Sequence, residues 1–127
     1  MSRLKQSIEL TKCEAEVMAV VWEHQCVTVN DVVERINRNL AYTTVMTTMK
    51  ILEDKNVVCR GRKIGRAFTY TANVTREQVR DGMIRSLADQ LFGGSTRSLV
   101  LSLLQSDAVT QDDIEAVREA ADRMGES

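Results

Sequence analysis

Residues 57–72, VVCRGRKIGRAFTYTA, constrain the fold more than any other stretch of the chain. β-Branched and aromatic residues flank a segment containing Gly61 and Gly65. Phe68 and Tyr70 alternate with Thr69 and Thr71, as a strand with one buried face requires. A β-hairpin is expected, with Phe68 and Tyr70 turned to the core and Arg60, Arg62, Lys63 and Arg66 around its tip. No acidic residue interrupts that run, so the four cations are expected to lack pairing partners and to contact phosphate.

Helical patterns precede the hairpin. Thr11 and Glu14 have the form of a capping box, followed by Ala15, Met18, Val21 and Trp22 at helical spacing, which predicts a first helix over 11–24 with Trp22 in the core. Thr28 or Asn30 caps a second helix that sets Val29, Val33, Ile36 and Leu40 on one side. A third helix runs through AYTTVMTTMKIL, residues 41–52, and ends near Asn56, a residue that tolerates the left-handed conformation. Three helices followed by a hairpin with a basic tip is the order of a winged helix-turn-helix, whose third helix enters a DNA groove.

Threonine is a mediocre helix former, yet this third helix holds four. At about 100° per residue, Val45, Met49 and Leu52 share one face while Thr43, Met46, Thr47 and Lys50 point the opposite way. Thr44 lies at one flank and Thr48 borders the core. On an ordinary surface such threonines are only solvated polar residues. Directly before a basic hairpin they are suited to a groove, because the hydroxyl can bond base edges or phosphate and the methyl can touch thymine.

Beyond residue 73 the pattern is helical again, which divides the chain into a DNA-binding domain over 1–73 and a helical domain over 74–127. Thr75 and Gln78 form another capping box before Val79, Met83, Leu87 and Leu91, and Gly93-Gly94 ends that helix. Leu99, Val100, Leu101, Leu103 and Leu104 surround most of a short helix. Thr110 and Asp113 cap a last one carrying Ile114, Val117, Ala121 and Met124 on one face. Three short helices cannot enclose an all-round apolar one, so a second copy of the chain is expected to cover Leu87, Leu91, Leu99, Val100, Leu103, Leu104, Ile114 and Val117.

Charge agrees with this division. Residues 1–72 carry 11 Lys+Arg against 8 Asp+Glu, a net of +3, and residues 73–127 carry 6 against 10, a net of −4. The absence of proline favours helices. The longest apolar run, residues 98–104, is too short to span a bilayer and the N-terminus has no apolar signal core, so a cytoplasmic protein without membrane insertion is expected. The three cysteines form no C-x-x-C pair, and no cofactor is expected.

An enzyme finds little support in one histidine, no phosphate-cradling glycine loop and an S-x-x-K match at Ser2–Lys5 that lacks its companion motifs. Two alternatives stay open: a winged-helix adaptor for other proteins, and a metal- or redox-responsive regulator using Cys13, His24 and Cys26.

The segments LTKCEAEVMAVVWE, YTTVMTTMKILEDKNVV, RGRKIGRAFTYTA and LFGGSTRSLVLSLLQSDAVTQDDIEAVREA, in this order, resemble the penicillinase and methicillin-resistance repressors of the BlaI/MecI type over residues 8–122. The resemblance implies a dimeric repressor on a dyad operator, with Thr43, Thr44, Met46 and Thr47 at or near bases. It also implies a membrane sensor-protease as a partner and cleavage of the repressor at an Asn-Phe bond in its dimerisation region. The aligned pair here is Ser102-Leu103, which leaves the inducing signal open.

Overall fold

The computed structural model describes residues 8–125. In chain order it contains α1 (Lys12–His24), β1 (Cys26–Val27), α2 (Val29–Arg35), α3 (Tyr42–Asp54), β2 (Val58–Ile64), β3 (Ala67–Ala72), α4 (Arg76–Leu91), α5 (Thr96–Leu104) and α6 (Gln111–Gly125). The strands form one antiparallel sheet in the order β1-β3-β2. The chain divides into two compact units, the first ending at Met83 and the second beginning at Ile84, so α4 contributes to both. This is the mainly helical, winged helix-turn-helix architecture that the sequence predicts.

In the first unit α1, α2 and α3 enclose an apolar core with the inner face of the sheet. Val17, Met18 and Val21 of α1, Val32 of α2, Val45, Met49 and Leu52 of α3, and Val27 and Val57 are fully buried. On α3 the buried positions are 45, 48, 49 and 52, the i, i+3, i+4, i+7 stripe of a helix with one face inward. Trp22 is half-buried against this core, and its indole Nε1 donates to the Val74 carbonyl at 2.9 Å. That bond satisfies the one polar group a packed tryptophan brings with it.

The capping boxes expected at Thr11 and Thr75 are present, and Thr28, one of the two caps expected for α2, forms a third with Asp31. Thr11 and Glu14 exchange bonds at the start of α1, Thr28 and Asp31 at the start of α2, and Thr75 and Gln78 at the start of α4. Glu14 does more than cap: its carboxylate is buried, accepts from the Thr11 amide at 3.1 Å and meets Lys55 Nζ at 2.7 Å. Lys55 Nζ also donates to the Glu9 carbonyl at 3.0 Å, so the end of α3 is tied to the start of α1.

Three expectations need correction, and the structure adds one element. The second helix stops at Arg35, because Ile36 adopts an extended backbone with φ −71° and ψ 149°. Ile36 and Leu40 still pack on the core, but from a loop, and Ala15 is exposed. That loop is pinned when Arg38 forks onto Glu16 at 2.8 and 3.1 Å. The hydrogen bond from Arg38 holds the Glu16 carboxyl below its ordinary value, so its stabilisation is complete above the usual glutamate range and fades as pH falls through the lowered one. A two-residue strand, β1, pairs with β3 through Cys26–Thr71 and Val27–Tyr70, and is too short to leave a sequence signal. Tyr70 is buried as expected, whereas Phe68 lies nearer the hairpin tip and is 36% exposed.

The contrast between the two faces of α3 is measurable. Leu52→Ala is expected to lower the unfolding free energy by about 2–5 kcal/mol, and Thr43→Ala to change it by no more than about 0.5 kcal/mol. Urea denaturation followed by circular dichroism tests both; equal losses would contradict the orientation of the helix.

Candidate nucleic-acid interface

The outward side of α3 is lined by Thr43, Thr44, Met46, Thr47 and Lys50, all exposed. Behind them the helix is fixed by Val45, Met49 and Leu52, so the exposed row is carried on a rigid rod rather than a loop. Thr48 differs from the other three threonines. It is buried, its Oγ1 donates to the Thr44 carbonyl at 2.8 Å, and Cys13 Sγ lies 3.8 Å from that hydroxyl. The threonine-rich segment therefore serves two purposes: three hydroxyls face solvent and one is spent on the helix itself. Tyr42, 46% exposed at the first position of α3, joins this surface without having been singled out from the sequence, where nothing but its place at the helix start marks it.

Beside α3 the hairpin carries its cations on exposed positions: Arg60, Arg62 and Lys63 on β2 and Arg66 after the turn residue Gly65. Gly65 has φ +64°, the left-handed conformation that glycine adopts without strain. The expectation that these cations lack an acidic neighbour fails for one of them. Glu53, near the end of α3, pairs with Arg60 at 3.4 Å. It comes from outside the hairpin, so counting charges along residues 57–72 misses it. Arg62, Lys63 and Arg66 have no carboxylate partner among the described residues. Phe68 takes an unforeseen place, with the Arg60 guanidinium 4.4 Å and Lys63 Nζ 4.8 Å from the centre of its ring.

The metal reading does not survive folding. Cys13 stands near the start of α1 and His24 at its end, roughly 16 Å apart at the helical rise of about 1.5 Å per residue. Cys13 faces Thr48 while Cys26 is exposed on β1. Among the described residues no group of His, Cys, Asp or Glu could hold a metal ion. The Ser2–Lys5 match lies outside the described residues.

In the second unit the burial pattern reverses. Ala88 and Leu99 are the buried side chains among its described residues, and α6 buries none. Leu104 and Ile114 are half-covered, while Leu87, Leu91, Val100, Leu103 and Val117 are exposed, Leu91 by 70% and Leu103 by 53%. Leu99 is thus already covered within the chain, and the other seven residues expected at an interface remain wholly or partly open. Ser102 and Leu103 both lie inside α5. No described helix is long and apolar enough to cross a membrane.

A profile described as penicillinase repressor matches residues 10–123. The penicillinase repressor of Bacillus licheniformis is 26% identical over 113 residues, covering 87% of this chain and 88% of that protein. The methicillin resistance regulatory protein MecI of Mammaliicoccus sciuri is 25% identical over 115 residues, with coverages of 89% and 93%. Among solved structures, the DNA-binding domain of the repressor BlaI is similar to 55% of this chain over 87% of its own length, with 28% identity and a TM-score of 0.50.

The placement of the thiols has a direct consequence. A thiol reagent added to native protein should modify the exposed Cys26 and Cys59 first and the half-buried Cys13 more slowly, with Cys13→Ser abolishing the slow phase. Elemental analysis of the same protein should find no stoichiometric zinc or copper; one equivalent per chain would restore the metal reading.

Proposed function

The chain belongs to the penicillinase repressor family, transcriptional regulators rather than enzymes, and from that premise we propose that it works in the cytoplasm as a homodimer that occupies a dyad operator. The observation that carries this reading is the exposed row of Thr43, Thr44, Met46, Thr47 and Lys50 on a helix whose other face is locked into the core. A helix so held can lie in the major groove, where threonine and methionine side chains meet base edges and the thymine methyl. Lys50, Arg62, Lys63 and Arg66 then contact phosphates and set the register without reading sequence.

Dimer formation is supported by the second unit, where Leu87, Leu91, Val100, Leu103 and Val117 stay exposed while Ala88 and Leu99 are the buried side chains among the described residues. Removing such side chains from water stabilises an assembly by about 1.5–3 kcal/mol for each one fully buried. Two-fold pairing would also hold two copies of α3 at a fixed spacing, which a dyad operator requires. Release by a membrane sensor-protease would have to unwind α5 first, since the Ser102–Leu103 peptide lies within that helix and cleavage acts on locally opened chain.

Footprinting on DNA flanking its own gene tests the proposal as a whole; no protected segment at low salt would reject it. Replacing Arg62 and Lys63 by alanine should weaken binding to every sequence and flatten the dependence of log affinity on log salt by about 3.6 for the dimer, or about 0.9 for each of the four phosphates no longer neutralised. Light scattering should give a dimer mass for the wild type, and Val100→Asp with Leu103→Asp should shift it to the monomer. A monomeric wild type at micromolar concentration would remove the dimer from the proposal.

A further inference from the structure

We infer that Phe68 is a positioning residue of the DNA interface, its ring holding Arg60 and Lys63 in place on the face of the hairpin. The inference rests on the DNA-binding reading above and adds to it a residue that makes no phosphate contact itself.

The geometry begins with an irregularity in the hairpin. Arg60 pairs with Tyr70 and Lys63 pairs with Phe68, so three steps along β2 answer two steps along β3. In an unbroken strand, residues three apart point to opposite faces. The one extra residue of the bulge cancels that alternation and brings both cations to the side that Phe68 shares with Tyr70. Without it the residue opposite Phe68 would be Arg62, and Lys63 would face away.

Two side chains maintain the bulge. Thr69 Oγ1 donates to the Arg62 carbonyl at 2.7 Å, occupying an acceptor within the irregular segment. Gly61 permits the approach, since a Cβ there would stand 3.0 Å from the Thr69 hydroxyl. Thr69 is accordingly buried, although it sits on the hairpin arm.

The ring then receives both charges. The Arg60 guanidinium at 4.4 Å and Lys63 Nζ at 4.8 Å from the ring centre are within the range where the negative face of an aromatic attracts a cation. Arg60 is held from its other end by Glu53 at 3.4 Å, which ties the hairpin to α3. Long cationic side chains lose conformational freedom when they grip a phosphate, and one already restrained loses less. A half-exposed phenylalanine away from the fully buried core is thereby explained: it prearranges charge rather than filling space.

The test is a thermodynamic cycle on the full-length protein with a duplex of about 30 base pairs, long enough for two half-sites one helical turn apart, selected by the wild type from a random pool. Phe68→Leu should weaken binding roughly tenfold, as expected when two long cationic side chains lose their prearrangement and must be ordered on binding. In an Arg60→Ala/Lys63→Ala background the same change should have an effect of less than about twofold, because residues acting through one another are not additive. Phe68→Tyr, which keeps the ring, should retain the affinity that Phe68→Leu forfeits. Equal losses in both backgrounds, or no loss in either, would overturn the inference. Should Phe68→Leu fail to fold, proton spectra of the wild type still decide it. The Arg60 δ and Lys63 ε protons should show upfield ring-current shifts that persist in Phe68→Tyr and vanish when either protein is unfolded in urea, and ordinary shifts in the native state would overturn the inference. If wild-type protein selects no duplex, the DNA-binding reading fails, while those shifts continue to report on the ring and its cations.

Discussion

The seating of α3 governs what the first unit can do. Its buried stripe of Val45, Thr48, Met49 and Leu52 fixes rotation about the helix axis, and Lys55 fixes its far end by reaching Glu14. The carboxylate involved is buried, which would be costly in isolation, but it accepts from the Thr11 amide and meets the Lys55 ammonium. One side chain thus closes the capping box of α1 and anchors the end of α3. A hydroxyl-lined surface supported in this way presents its groups in one arrangement, as the proposed reading of base edges requires.

Much of this was legible because it is local. Caps depend on residues three apart, and Thr11–Glu14, Thr75–Gln78 and Thr110–Asp113 all form as their spacing indicates. Left-handed positions are equally local: Asn56 takes φ 64°, and Gly93 and Gly94 take φ 58° and 84° where α4 ends. The inward and outward sides of α3 follow from its period. What was not legible depends on neighbours remote in sequence. The end of α2 is set where Arg38 meets Glu16, 22 positions away. The pairing of Arg60 with Glu53 depends on how the hairpin returns along α3, and the exposure of Phe68 on where the core stops. Alternation identified the face of Phe68 correctly but could not give its depth.

The hairpin also shows why counting charges along a segment is an incomplete guide. Arg60, Arg62, Lys63 and Arg66 look equivalent in the sequence, yet the bulge and Glu53 divide them. Arg60 is committed at both ends, to Glu53 and to the ring of Phe68, and so serves as a strut between hairpin and helix as well as a source of positive charge. Lys63 rests on the ring without a carboxylate partner, which leaves its charge available to a polyanion. Arg62 gives its carbonyl to Thr69 while its guanidinium stays exposed. Backbone geometry thus gives different duties to side chains that composition treats alike.

The two units differ in a way that bears on folding as well as function. The first has a core in which every element from α1 to β3 contributes a buried apolar side chain. The second buries Ala88 and Leu99 among its described residues and leaves leucines, valines and a methionine in water. Helices of 9 and 15 residues, the lengths of α5 and α6, are near the limit of what persists without tertiary packing. In the proposed dimer, folding of such a segment and pairing with a second copy become one equilibrium, and helix content should depend on protein concentration. A signal need not then reach the residues proposed to contact DNA at all. On the proposed reading, anything that frays α5, or competes for Leu103 and its neighbours, would separate the two copies of α3 and withdraw the gain in affinity that joint binding provides.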